Sequence, residues 1–181
     1  MSAMLRVTAC GVLLLFASLA YAASSSPYAG QEARDIKALS PEEVADYLSG
    51  KGMGLAKAAE LNGYPGPAHV LELASELGLT PEQRATTEAL FQKMQRRAVT
   101  LGTELVEAEG ALDRLFASRT ATSDAVKVSL TRIAKLQGEI RQVHLDAHIE
   151  QASVLTAAQI ATYTRLRGYD AAPVHDGRHR H

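Results

Sequence analysis

The sequence predicts an all-α protein organised around one long antiparallel helical hairpin. In two long segments, about 81–117 and 124–153, apolar residues recur every three or four positions. That spacing is typical of an amphipathic helix. Helix-start signals, in which a Ser or Thr is followed three residues later by Glu or Gln, occur at three places in the chain. No segment shows the alternating pattern of a β-strand.

Composition narrows the class of protein. The chain has 181 residues, of which 46% are hydrophobic and 22% are charged, and this favours one globular domain. The formal net charge of -1 provides no basic excess, so we expect no nucleic acid partner. There is no serine or cysteine nucleophile motif, no dinucleotide-binding glycine pattern and no HExxH sequence, so we expect no enzyme activity.

The first 22 residues have the pattern of a cleaved signal peptide. Arg6 precedes a short apolar core, and Ala20-Tyr21-Ala22 predicts cleavage near Ala22-Ala23. The apolar run is shorter than the roughly 20 residues that a membrane-spanning helix needs, so we expect no membrane insertion. Cleavage removes the only cysteine, Cys10, and also Arg6, which takes the net charge from -1 to -2. The exported domain must therefore be stable without disulfides.

The first part of the exported chain consists of short elements. Residues 23–39 are rich in Ser and Ala and predict a flexible leader. A helical domain then spans residues 40–168. Its first helix starts at Ser40 and stops at Gly50. Residues 50–67 form a glycine-rich hook with a short helical piece around 55–61, and another short helix runs from Pro67 to Gly78. A phosphate-loop interpretation of the hook fails because no strand precedes it.

The second part contains the hairpin. A polar turn at 118–123 links the two long helices, and so short a link makes them antiparallel neighbours. A last short helix, on which Tyr163 and Leu166 face inward, ends at Gly168, and residues 169–181 form a disordered tail. One hairpin is too thin to bury the apolar stripes of both helices, so we expect a homodimer.

Two of the helix-start signals are copies of one motif, LTxxQ. The motif residues are Leu79, Thr80 and Gln83 in the first copy and Leu155, Thr156 and Gln159 in the second. Paired LTxxQ motifs in an exported helical chain resemble the Spy/CpxP family and the related periplasmic heavy-metal resistance and sensor proteins, over about residues 67–168. The resemblance implies a cradle-shaped homodimer in the periplasm, with LTxxQ residues that are structural. This chain departs from the chaperone members in being less basic.

The resemblance leaves two functions open. Some members are ATP-independent chaperones or modulators of envelope-stress signalling, which implies unfolded periplasmic proteins or a sensor protein as partners. Exposed residues of the hook and hairpin, such as Met53, Leu55 and Met94, could form an adaptable surface for such clients. Other members bind divalent metals, which makes a heavy-metal binding or sensing protein the alternative.

Histidines give the metal hypothesis its residues. His144 and His148 lie four positions apart, a spacing at which two imidazoles on a helix can bind one ion. His69 and Glu72 share a face of the short helix that we expect at the same end of the hairpin. The four residues predict a zinc, nickel or copper site, with Asp146 and Glu150 as supporting residues. The tail histidines His175, His179 and His181 could also collect metal weakly, or they are incidental residues of a solvated tail. Alternatively, His144 and His148 hydrogen-bond to Gln92 and Gln95.

Overall fold

The computed structural model describes residues 26–170 of the chain. The predicted signal peptide, its cleavage site and residues 171–181 of the predicted tail lie outside that range. Within it every regular element is an α-helix, so the all-α prediction is confirmed. Residues 26–32 belong to a separate unit and form a series of turns.

The helices follow the start and stop signals of the sequence closely. They are α1 (Pro41–Ser49), α2 (Lys57–Glu60), α3 (Pro67–Glu72), α4 (Pro81–Ala117), α5 (Ser123–Val154) and α6 (Ala157–Leu166). The side chains of Ser40, Thr80 and Thr156 each accept a hydrogen bond from the backbone N–H three residues later. The side-chain oxygen at that later position accepts in turn from the backbone N–H of the Ser or Thr. These capping boxes satisfy backbone N–H groups that a helix start would otherwise leave unpaired.

The two long helices pack against each other along much of their length. Their shared core consists of Leu101, Leu105, Ala108, Ile133, Leu136 and Ile140. The start of α4 touches the end of α5, because the Gln83 side chain donates to the carbonyl of Val154 at 2.9 Å. Helix α1 packs on α4 at Gly102, where the backbone of Tyr47 occupies the space of a β-carbon, and the Tyr47 side chain packs against the shared core.

A second apolar cluster joins the short helices at the end where α4 starts and α5 finishes. Its buried members are Val70, Leu77, Leu155 and Tyr163, and Leu79 and Ile160 pack against them. The leucines of both LTxxQ motifs therefore lie in one cluster. This cluster positions α3 and α6 beside the last turns of α5.

Four details differ from the sequence prediction. Helix α3 ends at Glu72, and turns lead on to Gly78, which has a left-handed backbone (φ +59°) and reverses the chain before the next cap. Leu166 is exposed because it ends α6, a turn beyond the buried part of that helix. The end of the predicted leader is tied to α4, where the Lys37 backbone N–H donates to Asp113 at 3.1 Å. Tyr169, assigned to the tail, is hydrogen-bonded inside the fold.

Candidate functional site

The two LTxxQ motifs are hydrogen-bonded to each other. The Gln83 amide donates to Oε1 of Gln159, and the Gln159 amide donates to Oε1 of Gln83, each at 2.9 Å. Each amide also donates to a backbone carbonyl, Val154 for Gln83 and Leu77 for Gln159. Each carboxamide oxygen also accepts from the backbone of its own cap. The pair thus joins the starts of α4 and α6 and holds the end of α5.

A cleft of about 670 Å³ lies between the hook (residues 50–67), α3 and α5. We call it the histidine cleft. All four residues predicted as metal ligands line it: His69, Glu72, His144 and His148. Lys51 and Lys57 contribute cationic side chains to the same walls. The sequence therefore identified residues of one cleft, on two different helices.

His144 is the most buried residue of the predicted set, with 3% of its surface exposed. Its Nε2 atom is buried without a hydrogen-bond partner among residues 26–170. Burial, and then the neighbouring His148, lower the pKa of His144 below its usual value, so the ring is neutral at neutral pH. A neutral imidazole with a free nitrogen is the form that binds a transition metal.

His148 is held in one orientation by the backbone. Its Nδ1 lies 2.7 Å from the carbonyl oxygen of Tyr64. A carbonyl only accepts, so Nδ1 carries the hydrogen and the lone pair of the neutral ring is on Nε2. Gly66 leaves room for this ring, because a β-carbon there would lie 2.9 Å from Nε2. This bond differs from the alternative prediction, in which His148 would bond to Gln92 or Gln95 of α4.

His69 and Glu72 form a pair of their own. The Nδ1 atom of His69 lies 2.8 Å from Oε2 of Glu72, and both side chains are substantially exposed. Among the described residues, 26–170, no three His, Cys, Asp or Glu side chains are grouped closely enough to hold a metal ion. The four predicted residues share the cleft without being arranged around one point. A metal would have to draw the rings together.

The two residues predicted to support the site do not face it. Asp146 and Glu150 line a separate groove between α4 and α5, where Glu150 pairs with Lys93 at 3.1 Å. Positions 146 and 150 lie two residues from the histidines in sequence. On a helix, residues two apart do not share a face, which explains the misplacement.

The structure adds a carboxylate that the sequence did not reveal. Glu60, on the four-residue helix α2, also lines the histidine cleft. Its Oε1 accepts hydrogen bonds from Tyr163 at 2.5 Å and Tyr169 at 3.1 Å, and its Oε2 lies 3.6 Å from Nδ1 of His148. Burial, with the hydrogen bond to Glu60, raises the pKa of Tyr163, so its hydroxyl stays protonated as a donor. No periodicity or motif marks Glu60 in the sequence.

The chemistry of the cleft suits a borderline transition metal better than a hard one. Imidazole nitrogens favour zinc, copper and nickel, whereas magnesium and calcium prefer oxygen donors.

No family model, curated protein or solved structure matches the chain, so the candidate functions depend on the geometry of the described residues and on the motif resemblance. None of the helices within residues 26–170 has the length and apolar character needed to cross a membrane.

Proposed function

We propose that this chain is a periplasmic protein that holds unfolded polypeptides without ATP, as a homodimer of helical hairpins. Two observations support this type of helical periplasmic protein. The first is the resemblance carried by the paired LTxxQ motifs, and the second is the reciprocal bonding of Gln83 and Gln159, which gives the shared motif a physical purpose. A rigidly capped scaffold of this kind can present a deformable surface to varied clients.

The observation that carries client binding is an apolar groove on the hook. The groove, of about 510 Å³, is lined by Met53, Leu55 and Leu61, with Lys57 and Arg141 as its cationic members. Met53 and Leu61 are exposed. Methionine adapts its shape to different apolar partners, and lysine and arginine can pair with acidic residues that flank them. Apolar segments with acidic neighbours are therefore the clients that this groove fits.

Aggregation of an unfolding client, followed by light scattering without ATP, tests this function. At a stoichiometric ratio the protein should suppress most of the scattering. The double variant Met53→Ser with Leu61→Ser should lose most of that suppression, because it removes the exposed apolar side chains of the groove. Val128→Ser, on an exposed face of α5, is the matched control and should act as the parent does. Scattering unchanged by the parent protein would refute the proposal.

We infer a second function, binding of a divalent transition metal, from the state of His144. Burying a polar atom without a partner costs about 1–3 kcal/mol, and a bound ion would satisfy the free Nε2. His148, with its lone pair on Nε2, lies one helical turn away. A metal-binding or metal-sensing role in heavy-metal tolerance, with a sensor protein as partner, is consistent with this arrangement.

Titration calorimetry with zinc, nickel and copper tests the second function. The full chain should carry His175→Ala, His179→Ala and His181→Ala, so that the tail contributes nothing; we call this the tail-histidine variant. One ion per chain should bind, and adding His144→Ala with His148→Ala should abolish binding. Binding that survives those two substitutions would place the metal elsewhere.

A further inference from the structure

We propose that Glu60 couples cation binding at His148 to the seating of α6 and Tyr169 against the hook. This inference depends on the second proposed function, and it concerns regulation of that site. Glu60 is a positioning residue in this scheme, since it touches His148 on the side away from the nitrogen that is free to bind an ion.

The two oxygens of Glu60 have different surroundings. Oε1 accepts from the hydroxyls of Tyr163 and Tyr169 and lies 3.5 Å from Nε of Arg167. Oε2 is buried without a hydrogen-bond partner in the described chain, 3.6 Å from Nδ1 of His148. The carboxylate therefore connects the C-terminal segment on one side with the cleft histidine on the other.

A cation bound to His148 would change the electrostatic attraction between the His148 ring and the Glu60 carboxylate. The Nδ1–H of His148 already donates to the Tyr64 carbonyl, which leaves Nε2 for an ion. An ion at Nε2 makes the ring more positive and its Nδ1–H a stronger donor, so the nearby Oε2 of Glu60 is attracted more strongly. The Tyr64 carbonyl orients the ring, so Glu60 acts on His148 through its negative charge.

A movement of the Glu60 carboxylate would also move α6. Tyr163 lies in the second apolar cluster with 1% of its surface exposed, so its hydroxyl cannot follow Glu60 without moving the helix. Tyr169 donates to the same oxygen of Glu60 at 3.1 Å, and Nε of Arg167 lies 3.5 Å from it, although both residues are only half-buried. By linkage, a cation that favours one position of Glu60 favours the matching position of α6, and stable docking of α6 strengthens cation binding by the same factor.

The protein has a natural reporter for this coupling. It contains no tryptophan, so the intrinsic fluorescence of the exported protein comes from the five tyrosines that follow the predicted cleavage site. Two of the five, Tyr163 and Tyr169, donate their hydroxyls to Glu60. Zinc is the suitable probe, because its filled d shell has no redox chemistry of its own. Zinc binding should therefore change the tyrosine emission, and that change should come from this pair.

Zinc titrations of the tail-histidine variant, read by calorimetry and by tyrosine emission, test the coupling. Adding Glu60→Gln should weaken zinc binding about tenfold, because it removes the negative charge that lies 3.6 Å from Nδ1 of His148. Adding Tyr163→Phe, which keeps the buried ring, should weaken binding a few-fold and reduce the emission change to the part contributed by Tyr169. Glu139→Gln, a half-buried carboxylate of α5 that pairs with Lys135, and Tyr47→Phe, a tyrosine of the other core, are matched controls that should change neither.

The outcomes distinguish failure of the coupling from failure of metal binding. If the parent binds zinc while Glu60→Gln binds it equally well, or if Tyr163→Phe keeps the full emission change, the coupling is overturned and the metal function stands. If the parent binds no zinc, the coupling falls, and the metal function falls with it when nickel and copper do not bind either. Circular dichroism checks that each variant folds, and Tyr163→Phe decides the question if Glu60→Gln does not fold.

Discussion

Replacing Gln83 by Glu tests why this helix start uses glutamine. Glutamate serves equally well in an ordinary capping box, and Glu43 does so at α1, where it accepts from the Ser40 N–H at 2.8 Å. Gln83 has a further task, because its amide donates to the Val154 carbonyl and to Gln159. A glutamate keeps the cap but cannot donate, so it would turn two hydrogen bonds into contacts between acceptors.

The expected loss follows from those two bonds. Each partly buried hydrogen bond contributes about 0.5–1.5 kcal/mol, and an acceptor left unsatisfied costs about 1–3 kcal/mol. Gln83→Glu should therefore lower the free energy of unfolding by about 3 kcal/mol. The converse change at the exposed cap of α1, Glu43→Gln, keeps its acceptor and should stay within about 0.5 kcal/mol of the parent.

Urea unfolding followed by circular dichroism measures both changes at neutral pH. A double-mutant cycle with Gln83→Ala and Gln159→Ala should in addition give a coupling of about 1–2 kcal/mol, since two hydrogen bonds join the amides. The explanation would be refuted if Gln83→Glu were as stable as Glu43→Gln, or if the cycle gave no coupling.

Three further changes have defined outcomes in the same assay. Gly102→Ala should destabilise by about 1–3 kcal/mol because its β-carbon meets the Tyr47 backbone, whereas Gly138→Ala, open to solvent, should stabilise by about 0.5–1 kcal/mol. Burial raises the pKa of Glu109, so Glu109→Gln should stabilise at neutral pH and lose this advantage below about pH 4. Burial lowers the pKa of His144, so its share of the stability is present above about pH 6.5 and is lost on acidification; His144→Leu should flatten that decline.

Local physics explains why the long helices could be predicted. The cap at Thr80, the unbroken apolar period after it and the polar turn near residue 120 are signals contained within a few residues. They predicted a helix of 81–117, and α4 spans Pro81–Ala117. The buried face of the short segment at Val70 and Leu77 was predicted for the same reason, although the helix itself ends sooner.

The cleft could be predicted only in part. His144 and His148 could be predicted as a pair from the sequence, because their spacing is that of one helical turn. Glu60 was not, because α2 has four residues and its place depends on long-range contacts of a glycine-rich hook with no period. Tyr169 was assigned to the tail for a similar reason: its hydrogen bond to Glu60 joins residues 109 positions apart.

The paired caps and the histidine cleft are connected through α6. Gln159, which bonds to Gln83, sets the start of that helix, and Tyr163 lies one turn further along the same face. The Tyr163 hydroxyl then reaches Glu60, which in turn faces His148. A substitution at Gln159 should therefore move Glu60 in the histidine cleft as well as lower the free energy of unfolding. The second LTxxQ motif is then both a helix cap and the support that sets where the cleft carboxylate lies.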